Sequence, residues 1–99
     1  MKSLDSSTYF VIMSSVFDTP KTIHIKYDLK GSTVGRLTSI EDCVKGSVQK
    51  DLNLMESGTK IRLGSENIDI FYETLKADVD FLKELNIMDY SLLVRYSIV

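Results

Sequence analysis

Cysteine and histidine are almost missing from this sequence. Cys43 stands alone among 99 residues, so no disulfide can close within the chain and no cysteine-based metal site is available. His24 is the single histidine, which excludes zinc clusters and any Cys/His dyad supported by close spacing. No apolar run approaches the roughly 18 residues needed to cross a bilayer. The opening "MKSLDSSTYFVIM" carries one lysine and a short apolar run, Tyr9 to Met13, too brief for a secretory signal. No repeat or low-complexity tract appears. These absences make the reducing cytosol the simplest home.

What is present is enough for one small domain. A hydrophobic fraction of 43% allows a modest core, and 26% charged residues with a mean hydropathy near zero argue against wholesale disorder. The net charge of −2 hides an asymmetry. Between Lys21 and Arg36 stand Lys21, Lys26, Lys30 and Arg36 against Asp28 alone, whereas acids dominate from Asp51 onward. A local basic stripe on an acidic chain points to a small anionic ligand or a membrane headgroup rather than a long nucleic acid. Ordinary surface charge fits the same residues.

Two strands are expected early. Tyr9 to Met13 is short, apolar and rich in β-formers, and reads as a buried strand. "TIHIKYDLK" then alternates: Ile23, Ile25, Tyr27 and Leu29 share one face, His24, Lys26, Asp28 and Lys30 the other, as a half-buried strand over Thr22–Leu29 requires. Gly31 turns the chain without a Cβ penalty, leaving Lys30 at a strand end beside two hydroxyls, Ser32 and Thr33. A hairpin with a solvated polar face accounts for this pattern equally well. No G-x-x-x-x-G-K-[ST] loop occurs, because Lys30 precedes its glycine.

From Ser32 to about Gly64 the signal is weak and reads as loop with one short helix. The period then changes: Ile68, Phe71, Tyr72, Leu75, Val79, Leu82 and Leu85 form one apolar stripe on a helix from about Asn67 to Leu85, closed by Asn86. A connection and a strand from Ser91 to Val99 follow. Asp89 falls in that connection, flanked by Ile87, Met88 and Tyr90. It fits a turn aspartate capping local amides, and it also fits the helix–loop–strand order around a kinase catalytic base.

"KYDLKGSTVGR" (Lys26 to Arg36) and "IMDYSLLV" (Ile87 to Val94) together resemble the two signature segments of the phosphatidylinositol phosphate kinases. "YFVIMSSVF" is similar to the strand and hinge before the first signature, and "KDLNLM" (Lys50 to Met55) to a segment between the two. The helix "LKADVDFLKELN" fits its place before the second. Nearly the whole chain aligns in order, Cys43 to Gln49 least well.

The resemblance implies an α+β chain, part of a kinase-like two-lobed fold: the end of a small-lobe sheet, the hinge, and the start of a large lobe. It implies ATP-dependent phosphorylation, with Mg2+, of the inositol ring of a phosphatidylinositol phosphate by a cytoplasmic protein peripheral at membranes. Asp89 would orient or deprotonate the attacking hydroxyl. Lys30 would contact transferred or headgroup phosphate, and Arg36 ends the first signature with Asp28 as its partner. Met13, Ser14, Ser15 and Phe17 belong to the hinge that would hold adenine, with Leu93 beneath the purine. Core packing fits Phe17 and Leu93 as well.

The likeness has gaps. Residues 1–99 read as a partial catalytic domain, without the glycine-rich loop and strand lysine expected upstream of Tyr9, or the magnesium-binding aspartate and activation loop expected after Val99. "LLVRY" also replaces the glycine and histidine expected after "LLV". The alternative is a non-catalytic fragment or binding module that meets anionic lipid or a partner through the basic strand.

Overall fold

Strand β1 (Ile25–Leu29) and strand β2 (Leu92–Tyr96) pair antiparallel near the two ends of the chain, in the computed structural model, which describes residues 7–97. The register sets Ile25 against Tyr96, Tyr27 against Val94 and Leu29 against Leu92 on one face. On the other face Lys26 meets Arg95 and Asp28 meets Leu93. The alternation read from the sequence is therefore real, over fewer residues than Thr22–Leu29. The chain just before β1 stays tethered nonetheless: the His24 amide donates to the Tyr96 carbonyl at 2.8 Å. β2 is likewise shorter than Ser91–Val99, whose last two residues lie outside the described ones.

β1 is also engaged along its second edge. The Gln49 amide donates to the Lys26 carbonyl and the Asp28 amide to the Gln49 carbonyl, each at 2.8 Å, forming a parallel bridge opposite Tyr27. With partners on both sides, Tyr27 is 2% exposed, the one fully buried hydrophobic side chain among the described residues. The core is correspondingly thin.

Between the strands lie helix α1 (Ile40–Val44), helix α2 (Asp51–Ser57) and helix α3 (Ile68–Glu84). The expected single short helix in the weak region is thus two. α1 is started by Ser39, whose hydroxyl accepts the Asp42 amide at 3.2 Å. α2 is stitched to the preceding loop by Asn53, which accepts the amides of Lys50 (3.0 Å) and Thr38 (2.8 Å) and donates to the Thr38 carbonyl (2.9 Å).

α3 matches its expected bounds closely. Asn86 ends it in the left-handed region (φ 56), with the Asn86 amide donating to the Lys83 carbonyl and the Ile87 amide to the Leu82 carbonyl, both at 3.0 Å. That pair of bonds is the Schellman arrangement, with asparagine in place of the more usual glycine. Only the middle of the apolar stripe is covered. Leu75, Val79 and Leu82 are half-buried and line a cleft of about 580 Å³ with Leu29 and Leu92 of the sheet, while Ile68, Tyr72 and Leu85 are exposed.

The expected buried strand at Tyr9–Met13 is not there. Its side chains are 77% to 92% exposed, and no ladder among the described residues engages them. β-prone composition makes a strand only where a partner edge receives it, and no described strand pairs with this segment. No helix of the described residues is long and apolar enough to cross a membrane.

Candidate active site

The end of β1 and the loop before β2 meet because Leu29 and Leu92 close the ladder. Just beyond that pair, Lys30 follows the last residue of β1 and Asp89 stands three residues before the first of β2. The Lys30 ammonium donates to the Asp89 carbonyl at 3.1 Å and to its carboxylate Oδ1, across 59 positions of sequence. Asp89 occupies the left-handed region (φ 62), a conformation that aspartate tolerates better than most side chains and that turns its carboxylate outward. The Lys30 side chain is 22% exposed and that of Asp89 87%. A half-sheltered cation thus holds an acid that stands in solvent.

The electrostatics follow from that contact. The hydrogen bond from Lys30, reinforced by its charge and more weakly by that of Arg36, holds the Asp89 carboxyl below the usual carboxylate range. Asp89 is therefore fully ionised near neutrality. It accepts a hydrogen bond from a hydroxyl readily but is a weak base, which favours orienting that hydroxyl over removing its proton early.

Beneath Lys30 lies an ionic frame that sequence reasoning missed in part. Arg36 donates Nη2 to the Asp28 carbonyl (2.6 Å) and carboxylate (3.1 Å), as the first signature suggested. Its Nε donates to Asp51 at 3.0 Å, and Asp51 also accepts the Lys30 and Gly31 amides at 3.1 Å and 2.9 Å. The side chains of Arg36 and Asp51 are each 12% exposed. Burial pushes the Asp51 carboxyl up, but the Arg36 hydrogen bond and the two amides outweigh it and leave it lowered. Asp51 in turn raises Arg36 above its ordinary value. The available clue was "KDLNLM" itself, an acid at the first turn of a short helix.

The hinge residues are only partly assembled. Met13, Ser14 and Ser15 are exposed, and nothing among the described residues hydrogen-bonds the main chain of Met13 or Ser14. Phe17 is half-buried, its ring 5.7 Å from the Lys26 ammonium, and its amide donates to Ser15 Oγ at 3.2 Å. Arg95, where the sequence departs from the expected pattern, donates to the Val16 carbonyl at 2.9 Å. Lys26, Arg95 and Leu93 share one sheet face, so the hinge segment and Leu93 lie on the same side of the sheet. Leu93 is 42% exposed there, with apolar surface to offer.

The basic stripe is only partly neutralised. Lys30 and Arg36 are taken up by carboxylates and Lys26 lies over Phe17. The acids do not form a magnesium cradle. Among the described residues no group of three His, Cys, Asp or Glu side chains is placed to hold a metal ion, and Asp28, Asp51 and Asp89 are each engaged by Arg36 or Lys30.

The profile of the phosphatidylinositol-4-phosphate 5-kinase family matches residues 1–97, and the chain belongs to that family. Over 88 residues it is 49% identical to phosphatidylinositol 5-phosphate 4-kinase type-2 beta of Rattus norvegicus, covering 88% of this chain and 21% of that protein. Over 91 residues it is 42% identical to phosphatidylinositol 5-phosphate 4-kinase type-2 gamma of Homo sapiens, covering 91% of this chain and 22% of that protein. The chain thus spans about one fifth of the length of these curated relatives.

Proposed function

We propose that these residues form the part of a phosphatidylinositol phosphate kinase that joins the adenine-holding hinge to the catalytic loop. They would act in ATP-dependent phosphorylation of the inositol ring at a cytoplasmic membrane surface. The observation that carries this reading is the meeting of Lys30 and Asp89, one from each signature, at the open end of the sheet.

In this reading the ionised Asp89 accepts a hydrogen bond from the inositol hydroxyl and aligns it for attack, taking up its proton as the new phosphate bond forms. Lys30 exchanges part of its contact with Asp89 for a phosphate oxygen, offsetting charge that the phosphate presents in transfer. A bound nucleotide supplies the phosphoryl group. Met13 to Ser15 would hold its base by main-chain groups, with Phe17 and Leu93 as apolar walls. The described residues supply no fitting carboxylate set for Mg2+, and the resemblance puts that ligand elsewhere in the kinase.

The binding-module reading has less support, because two of the four cations in its basic stripe, Lys30 and Arg36, are already paired with carboxylates. A chimera tests the two together. This chain replaces the aligned 88 residues of the rat kinase, and phosphate transfer from ATP to phosphatidylinositol phosphate vesicles is measured. Retained transfer that requires Asp89 is the expected result. A folded chimera that binds the vesicles yet transfers no phosphate supports the binding module instead.

A further inference from the structure

Lys30 stands where a side chain is hard to aim. It follows the last residue of β1 and precedes Gly31, which lies in the left-handed region (φ 76) with open space around it. Glycine there has many alternative conformations, each pointing the lysine differently. The structure removes that freedom from below. The Asp51 carboxylate accepts two successive amides, Lys30 through Oδ1 (3.2 Å) and Oδ2 (3.1 Å) and Gly31 through Oδ2 (2.9 Å), and takes Arg36 Nε at 3.0 Å. Asp51 is itself fixed as the first residue of α2, whose next amide, Leu52, donates to the Arg36 carbonyl at 2.9 Å. Arg36 closes the frame by gripping Asp28 within β1. Yet Asp51 hydrogen-bonds Lys30 only through its backbone amide, and among the described residues no hydrogen bond or ion pair joins it to the Lys30 ammonium or to Asp89.

We propose that Asp51 is a positioning residue for phosphate transfer: its carboxylate locks the Lys30–Gly31 backbone so that the Lys30 ammonium is delivered to Asp89. This rests on the reading of Lys30 and Asp89 above and extends it to a residue outside both signatures. The chemistry requires an acceptor-only group. Three N–H donors converge on Asp51, so asparagine of the same size must turn a donating NH2 toward at least one of them. Loosening the turn spreads the ammonium over several positions and leaves the nucleotide-holding hinge untouched. The loss therefore falls on turnover rather than on the KM for ATP.

The test is a double-mutant cycle in a complete kinase carrying this segment: the parent, Lys30→Ala, Asp51→Asn and the pair, with kcat, the KM for ATP and the melting temperature measured for each. Asp51→Asn is expected to lower kcat by about tenfold, with the KM for ATP changed by less than about twofold. In the Lys30→Ala background the same substitution is expected to have almost no further effect on kcat, because the group it aims is gone. Asp51→Glu keeps the charge but shifts it by a methylene; it runs the same cycle with a smaller loss and serves where the asparagine variant does not fold. An equal fall in kcat in both backgrounds overturns the proposal, since a merely structural residue acts regardless of Lys30. Unchanged kcat in Asp51→Asn overturns it too. If Lys30→Ala alone leaves turnover normal, the reading of the site fails and takes this inference with it.

Discussion

Replacing Lys30 by alanine separates function from folding unusually well in this structure. The backbone of residue 30 is held by Asp51 through its amide, a bond that alanine keeps. What is lost is the ammonium, 22% exposed, and its contact with an Asp89 side chain that is 87% exposed. Ion pairs with so wet a partner contribute little to fold stability. The same ammonium placed against phosphate in the transition state makes a charge-assisted contact worth roughly 1.5–3 kcal/mol, or about one to two decades in rate. In a complete kinase carrying this segment, Lys30→Ala should therefore lower kcat about ten- to a hundredfold with little change in melting temperature. Radiolabelled phosphate transfer to phosphatidylinositol phosphate vesicles, run beside a thermal melt, measures both. Near-normal turnover refutes the phosphate role, and a rate loss matched by a collapse of the melting temperature refutes the separation.

Three further outcomes concern the scaffold. Tyr27→Ala removes the one fully buried hydrophobic side chain among the described residues and should destabilise by roughly 3–5 kcal/mol, seen as a large fall in the denaturation midpoint. Gly31→Ala meets no atom within 4 Å but places a Cβ on a left-handed residue (φ 76), so it should cost about 1–2 kcal/mol by chemical denaturation, with Gly31→Asn milder. The lowered Asp51 carboxyl should add stability that is fully present above its unfolded pKa of about 3.9 and lost as pH falls through the lower folded value. Melting temperature should accordingly hold down to about pH 5 and drop more steeply below about pH 4 than in Asp51→Asn. Parallel pH profiles for the two would show that Asp51 is not held as described.

How much could be read in advance depended on how far each signal reached along the chain. The α3 stripe repeats over five turns' worth of sequence and ends at an asparagine suited to the left-handed cap, so its bounds were plain. β1 alternates cleanly, but its pairing with β2, far along the chain, is set by tertiary contacts that no local pattern records. The helices α1 and α2, five and seven residues long, carry too little periodicity to register. Tyr9–Met13 has strand composition without a strand, because pairing is a property of the partner edge and not of the segment. Lys30, Asp89, Arg36 and Asp28 were legible as candidates and come together. Asp51 was not, since its role lies in accepting backbone amides 20 and 21 positions away, which no local pattern records.

In the proposed mechanism Asp89 orients the hydroxyl that attacks phosphate. Its side chain is almost wholly in solvent, so Asp89→Asn removes its charge and its ion pair with Lys30 while leaving the fold in place. In a complete kinase carrying this segment, turnover with phosphatidylinositol phosphate should fall about 10²–10⁴-fold, with ATP affinity and melting temperature nearly unchanged. Turnover within a few-fold of the parent, or a loss that tracks unfolding, contradicts it.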